Sequence, residues 1–128
     1  MLQPLDPMDI LFSDNVQRCK KWIVDALEYA HNSHTYEQVI EGVIKGDAQF
    51  WALSDSAVVT EIVTYPQKRT LRFWLAGGNL NTLLSAEPKI LEWSRTYKCV
   101  AVEIIGRKGW EKVLKEYKPT ATVFIKEY

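Results

Sequence analysis

Two carboxylates interrupt runs that otherwise have the composition of β-strands. Glu103 lies inside the apolar run Val100–Ile105. Glu61 shares one face of an earlier run with Val59 and Val63, because side chains alternate along a strand. A carboxylate in apolar surroundings holds its proton more tightly and is suited to act as a general base. Each residue is therefore a candidate catalytic base, and the alternative for each is an ion pair or a solvent-facing position.

A pair of adjacent glycines follows a third strand-like run. Alternating apolar residues in Thr70–Leu75 lead towards Gly77-Gly78, and a helix-compatible segment, Leu80–Tyr97, comes next. A strand that ends in a glycine turn and opens a helix presents free backbone N–H groups and a positive helix end, a combination that binds phosphates. We therefore expect the N–H groups of Ala76–Asn79 to hold a phosphate group, unless the glycines form only a turn.

Two arginines are further candidates for contact with a ligand. Arg107 stands at the start of a predicted helix, where its planar guanidinium would grip a phosphate or carboxylate or would simply lie on the surface. Arg72 points to the face that it shares with Trp74 and would stack there or reach a ligand. No metal site is expected, because Asn-Ser separates His31 from His34 and no acidic residue or cysteine completes a ligand set.

Composition and charge describe one globular domain. The 128 residues can bury a core of their own, and 16 basic residues balance 16 acidic ones. This balance argues against non-specific binding of nucleic acid, which needs a basic field. No apolar stretch approaches the roughly 20 residues of a transmembrane helix, and no signal peptide is visible. We expect no nucleic-acid or membrane partner and a cytoplasmic protein whose two cysteines, Cys19 and Cys99, stay reduced.

The first half of the chain reads as an arm followed by two helices. Residues 1–12 are expected to form an extended arm, with a short edge strand around Asp9–Phe12. A 3.6-residue apolar stripe predicts a first helix that Ser13 or Asp14 caps. The capping box Thr35–Gln38 predicts the start of a second helix.

The second half reads as a meander followed by alternating strands and helices. Short turns between strand-like runs predict antiparallel pairing. Asn79 is a candidate helix cap, and Pro88 places the main start of the next helix near Glu87. The predicted strands are Ala48–Leu53, Ala57–Tyr65, Thr70–Leu75, Cys99–Ile105 and Thr120–Lys126, with a last helix that includes Trp110 and Tyr117 and stops at Pro119.

This order of elements resembles that of the GNAT family, the GCN5-related N-acetyltransferases, over nearly the whole chain. The resemblance implies an α/β or α+β fold in a single domain, residues 1–128, with a mixed, mostly antiparallel central sheet and helices on both faces. In that family the fourth strand ends at a pyrophosphate-binding loop, R/Q-x-x-G-x-G/A, and parts from the fifth strand, so that acetyl-CoA lies in the gap. The matching piece here is Leu75-Ala-Gly-Gly-Asn79, with Leu75 or Ala76 where the family has Arg or Gln.

The resemblance also implies roles for residues. Acetyl-CoA would be the cofactor, and the reaction would be N-acyl transfer to an unidentified amine, with Glu61 or Glu103 as the base. A tyrosine of the family's last helix acts as general acid on the leaving thiolate; Leu114 occupies that position here, and Tyr117, one turn later, is the candidate substitute. The expected cofactor-binding residues are Leu75, Ala76, Gly77, Gly78, Asn79 and Arg107.

The turn Gly106-Arg-Lys-Gly-Trp110 and the overall layout also resemble small GNAT-like proteins of phages and prophages. Some of those are particle-associated proteins rather than demonstrated enzymes. The alternative function is therefore that of a catalytically inactive, GNAT-like phage structural or interaction protein, located in the host cytoplasm or the virion. In either case, Ala57–Tyr65 or Thr120–Lys126 at a sheet edge would be able to pair two copies into a homodimer.

Overall fold

A four-stranded sheet forms the centre of the molecule. The computed structural model describes residues 2–106 and 108–128. The strands β1 (Gln49–Ala52), β2 (Ser56–Thr64), β3 (Arg69–Gly78) and β4 (Ala101–Ile104) lie side by side in chain order. The first three strands are antiparallel, and β4 runs parallel to β3. The prediction of a mixed, mostly antiparallel sheet is confirmed.

Helices cover both faces of this sheet, as predicted. Helices α1 (Asp14–Tyr29) and α2 (Tyr36–Ile44) pack on one face, and α3 (Leu80–Thr96) packs on the other. The predicted capping box is present, since Thr35 and Gln38 exchange side chain–backbone hydrogen bonds of 2.9 and 3.2 Å. Two separate cores result. The first includes Val16, Cys19, Ile23, Val39, Phe50, Val59 and Leu75, and the second includes Trp51, Val58, Leu71, Ile90 and Trp93.

The N-terminal arm is extended only as far as Asp6. The Leu5 N–H donates to the Phe50 carbonyl at 2.8 Å, so the arm lies against the outer edge of β1. A 3-10 helix follows over Pro7–Phe12, and the carboxylate of Asp6 accepts a backbone N–H of its first turn at 2.9 Å. The predicted edge strand around Asp9–Phe12 is wrong, because a capping aspartate followed by proline at the first helical position favours a helical turn.

Strand β3 is longer than predicted and contains both glycines. Gly77 pairs with Ala57 and Gly78 with Ser56, so the pair belongs to the sheet and does not form a turn. Helix α3 starts immediately afterwards at Leu80 and runs through Pro88, so the predicted start near Glu87 is wrong. Apolar residues on both sides of that proline are buried against the sheet, and this packing keeps the helix continuous.

The last part of the chain departs most from the prediction. A 3-10 helix over Lys108–Lys112 replaces the predicted longer helix, and residues 113–128, all described, contain no helix or strand. The predicted strand Thr120–Lys126 is therefore wrong for a single chain. Pairing between copies through Ala57–Tyr65 is also not favoured, because β2 lies between β1 and β3. None of the helices in the described part of the chain has the length and apolar content needed to cross a bilayer.

Candidate functional site

Strands β3 and β4 part before β3 ends, and we call the space beside the unpaired end of β3 the cleft. The two strands pair only from Thr70 with Ala101 to Phe73 with Ile104. Beyond that point β4 ends, whereas β3 continues to Gly78 with β2 on one side alone. A β-bulge at Trp74, which has no partner in the register with β2, marks the place of divergence. One edge of the last five residues of β3 thus has no strand beside it among the described residues.

The backbone of β3 presents hydrogen-bonding groups to this cleft. Asn79 donates its N–H to the Asp55 carbonyl, 3.2 Å away on the β2 side. Since the N–H groups of successive strand residues point to opposite sides, Gly77 also faces β2, whereas Ala76 and Gly78 face the cleft. Of the four residues predicted to hold a phosphate, Ala76–Asn79, two therefore present a backbone N–H group to the cleft.

The glycines themselves are required by contacts within the chain. A Cβ atom on Gly77 would lie 2.7 Å from the carbonyl oxygen of Trp22, because α1 crosses β3 at this point. Gly78 has a φ of +110°, and a Cβ there would lie 2.5 Å from the Cα of Ser56. The Leu75 side chain is buried in the first core. Tight packing, rather than approach to a ligand, thus accounts for both glycines.

The N-terminus of α3 forms the end of the cleft. The Asn79 side chain caps the helix by accepting the Thr82 N–H at 3.2 Å, which confirms the predicted cap. The helix has no carbonyl of its own for the N–H groups of Leu80 and Asn81, so its positive end presents free donors next to β3. Neither donor belongs to the predicted cofactor-binding residues, although both follow from the predicted helix cap at Asn79.

The two candidate bases share one arginine. Glu61, Arg72 and Glu103 stand directly opposite one another on β2, β3 and β4. The Arg72 guanidinium lies 3.1 Å from Glu61 and 2.7 Å from Glu103, and the Tyr65 hydroxyl donates to Glu103 at 3.1 Å. The three charged side chains are about one-third exposed or less, at 28–32%. We call these four residues the Arg72 cluster.

In this arrangement both carboxylates form the ion pair that the sequence left open as the alternative to a catalytic role. Each is an ion-pair partner, and Arg72 does not stack on Trp74. Burial alone would lower the pKa of the Arg72 guanidinium, but its hydrogen bonds to Glu103 and Glu61 outweigh burial and raise that pKa above its usual value. With two carboxylates and one guanidinium, the cluster has a net charge of −1. It lies one residue before Phe73 and Ile104, the last pair of β3 and β4.

An aromatic contact lies at the bulge of β3, where the two strands part. The His34 ring, in the loop between these helices, meets the Trp74 ring edge to face with a centroid distance of 4.8 Å. Trp93 instead packs on Trp51 in the second core, with ring centroids 5.2 Å apart. Trp74 is therefore the tryptophan that belongs to the site.

Tyr117, the predicted general acid, lies elsewhere. Its hydroxyl donates to the Glu87 carboxylate of α3 at 3.1 Å, on the sheet face opposite to the first core. Burial, the negative charge of Glu87 and this hydrogen bond raise the pKa of the Tyr117 phenol well above its usual value. The phenol therefore keeps its proton and joins the C-terminal part of the chain to α3, and the three predicted catalytic residues do not converge on one point.

The Tyr117 contact predicts a pH dependence of stability. The unfolded chain ionises Tyr117 near its ordinary pKa of 10.0, whereas the folded chain resists ionisation. This contribution to stability is complete below about pH 10 and declines as the pH rises towards the pKa of the folded state. Denaturant unfolding at about pH 8 and about pH 11 should therefore show a larger loss in the wild type than in Tyr117→Phe. Tyr97→Phe is the control and should behave like the wild type; equal losses in all three would contradict the assignment.

In the part of the chain that the structure describes, no three His, Cys, Asp or Glu side chains lie close enough to hold a metal ion. Arg107, predicted to bind the cofactor, lies outside the described residues.

Comparison with solved structures identifies the fold. The chain matches protein TTHA1254 of Thermus thermophilus with a TM-score of 0.61 and 11% identity, covering 100% of this chain and 96% of the other. It matches glucosamine-6-phosphate N-acetyltransferase of Arabidopsis thaliana with a TM-score of 0.58 and 8% identity, covering 100% of this chain and 97% of the other. It also matches a GNAT family acetyltransferase of Staphylococcus aureus with a TM-score of 0.59 and 13% identity, covering 100% of this chain and 98% of the other.

The likeness is one of structure and not of sequence. No family model matches the chain, and no curated protein matches it. Each neighbouring chain is covered almost completely, so the likeness concerns the whole architecture rather than a shared fragment. The chain has the fold of the GNAT acetyltransferases.

Proposed function

We propose that the chain binds acetyl-CoA or a related acyl-CoA in the cleft between β3 and β4. The observation that carries this proposal is the divergence of two parallel strands next to a helix N-terminus. Backbone N–H groups of Ala76 and Gly78 are available along β3, and those of Leu80 and Asn81 at its end. Such donors suit an extended ligand with amide groups and a diphosphate, which is the chemistry of coenzyme A. The acetyltransferases among the neighbouring structures support the same choice.

We further propose that the acyl group passes to an amine of unidentified origin. The coenzyme supplies an activated thioester; the amine nitrogen forms the new bond to its carbonyl carbon, and the carbon–sulfur bond breaks. Positioning accounts for much of such catalysis. The Arg72 cluster lies beside the point where the strands part, and its net negative charge favours the approach of a protonated amine. A carboxylate of the cluster can then accept the proton of the amine, directly or through water. Tyr117, the predicted acid, is bound to Glu87 of α3 away from the Arg72 cluster, so the leaving thiolate would take its proton from water.

A titration with a matched pair of variants tests the binding proposal. Leu80 is exposed, and Asn79 before it has the extended backbone, φ −76° and ψ 120°, that proline requires of its predecessor. Leu80→Pro therefore removes one N–H group at a position where helices accept proline, and Leu80→Ala keeps that group. We expect calorimetry with acetyl-CoA to show about tenfold weaker binding for Leu80→Pro than for Leu80→Ala. Equal affinities would mean that the helix N-terminus does not bind the phosphates.

A second candidate function is a non-catalytic interaction protein, such as a phage structural component. One observation favours it: Met8, Leu11 and Phe12 of the N-terminal 3-10 helix are exposed together, which is typical of a contact surface. The two carboxylates engaged by Arg72 are compatible with a scaffold. The absence of binding to acetyl-CoA at millimolar concentration would favour this function over acyl transfer.

A further inference from the structure

We propose that the N-terminal 3-10 helix is a docking site for a basic amphipathic segment of another protein. The site combines exposed apolar side chains with acidic ones. We call it the N-terminal patch, and it consists of Met8, Asp9, Leu11, Phe12 and Asp14. This inference does not rest on the binding of a coenzyme, because the residues of the patch are not those of the cleft. It specifies a basic partner, which neither proposed function does.

The apolar part of the patch is held in a fixed orientation. A 3-10 helix has three residues per turn, so residues i and i+3 lie on the same side. Ile10 is 1% exposed and anchors the helix in the first core, and the Asp6 side chain caps its first turn. Met8 and Leu11, one turn apart, point outward together with Phe12, and the three are 82%, 66% and 87% exposed. An anchored helix with three exposed large apolar side chains indicates a contact surface.

The charge around the apolar side chains selects the class of partner. Residues 2–17 contain three aspartates and no basic residue. Asp9 lies one turn before Phe12, and among the described residues neither Asp9 nor Asp14 forms an ion pair. Helix α2, which packs against the 3-10 helix, carries two glutamates and no basic residue. A partner with both apolar and basic side chains complements the exposed apolar surface and its carboxylates.

The same charge disfavours two other occupants of the patch. An anionic lipid surface attracts basic segments and repels an acidic one. A second copy of the chain, docked through the same patch around a two-fold axis, would bring like charges together. A basic amphipathic helix avoids both problems, because it presents an apolar face next to cationic side chains in a single segment.

Fluorescence anisotropy of two labelled peptides tests the proposal with the full chain. One peptide is an amphipathic helix of leucine and lysine, and the other has glutamate in place of every lysine. We expect a Kd of about 10 µM for the leucine–lysine peptide at low salt and at least about tenfold weaker binding of the leucine–glutamate peptide. A rise in NaCl from about 50 to about 500 mM should weaken the binding of the first peptide. Equal binding of both peptides, or no binding at about 1 mM protein, would overturn the proposal.

Two matched pairs of variants locate the binding. Phe12 in the patch and Phe124 near the C-terminus are both highly exposed, so serine at either position should leave the melting temperature unchanged. Phe12→Ser should bind the leucine–lysine peptide about tenfold more weakly, and Phe124→Ser should bind it like the wild type. Asp9→Asn should weaken binding about threefold, whereas Asp25→Asn, at an exposed position of α1, should not. Equal affinities of Phe12→Ser and Phe124→Ser would place the peptide elsewhere and overturn the proposal.

Sedimentation equilibrium of the same variants distinguishes a second copy from another protein. We expect the wild type and Phe12→Ser to have the same mass. A wild-type dimer that Phe12→Ser converts into a monomer would overturn the proposal, because a second copy of the chain would then cover the patch.

Discussion

Replacing Arg72 with methionine should lower the free energy of unfolding by about 2 kcal/mol, because it leaves two carboxylates without their cationic partner. Methionine retains most of the length of the side chain, so the loss of charge dominates. Removal of one partner from a fully buried ion pair lowers the free energy of unfolding by about 3–5 kcal/mol. The loss is smaller here because the cluster is partly exposed and solvent screens its charges. Urea unfolding at neutral pH measures the change.

The control is the same replacement in a background that lacks the two negative charges. In Glu61→Gln/Glu103→Gln, removal of Arg72 leaves no unpaired carboxylate, so its cost should fall below about 1 kcal/mol. Equal costs in the two backgrounds would show that Arg72 contributes through packing rather than by pairing these charges. This comparison isolates the electrostatic role of the cluster because Glu61 and Glu103 both contact Arg72 directly.

Gly78→Ala should destabilise the fold by about 3 kcal/mol, the largest effect of any alanine substitution considered. The residue has a φ of +110°, and the new methyl group would meet the backbone of Asp55, in the turn before β2, and of Ser56, the first residue of β2. This paired backbone cannot move freely. Gly77→Ala should destabilise as well, by about 1–3 kcal/mol, since its methyl group would press on the backbone of Trp22. Thermal or denaturant unfolding gives both values.

Gly42→Ala provides the matched control. Gly42 lies inside α2, and an added Cβ there has nothing within 4 Å. Because alanine has the better helix propensity, we expect this variant to gain up to about 1 kcal/mol. A Gly78→Ala variant as stable as Gly42→Ala would mean that β2 and β3 do not approach as closely as described. A loss of acetyl-CoA binding in Gly78→Ala alone would not identify a phosphate site, since the fold itself is affected.

Local patterns predicted most of the fold correctly. The apolar stripe of α1, the capping box of α2 and the short turns of the meander depend on residues close in sequence, so they can be recognised without knowledge of distant contacts. The helix cap at Asn79 belongs to the same class. Together with the predicted alternation of strands and helices after the meander, these elements indicated the architecture that the neighbouring structures share.

The site depended on long-range contacts, which the sequence does not display. Gly77 and Gly78 are glycines because Trp22 and Ser56 lie against them, and neither neighbour is close in sequence. Arg72 lies between two carboxylates because of the register of three strands, β2, β3 and β4. To predict this contact, the relative positions of all three strands must be known. The segment 113–128 has the composition of a helix and a strand but pairs with no strand in the part of the chain that the structure describes, so propensity alone predicted elements that do not form.

Mapping of backbone amide signals during titration with acetyl-CoA tests the central claim most directly. We expect the NMR signals of Ala76, Gly78, Leu80 and Asn81 to shift in a saturable manner, because their N–H groups face the cleft. The amides of Phe50 and Trp51 in β1, on the far side of the sheet, should remain unchanged. No shift at a few millimolar acetyl-CoA, or shifts confined to residues outside the cleft, would contradict binding of the coenzyme between β3 and β4.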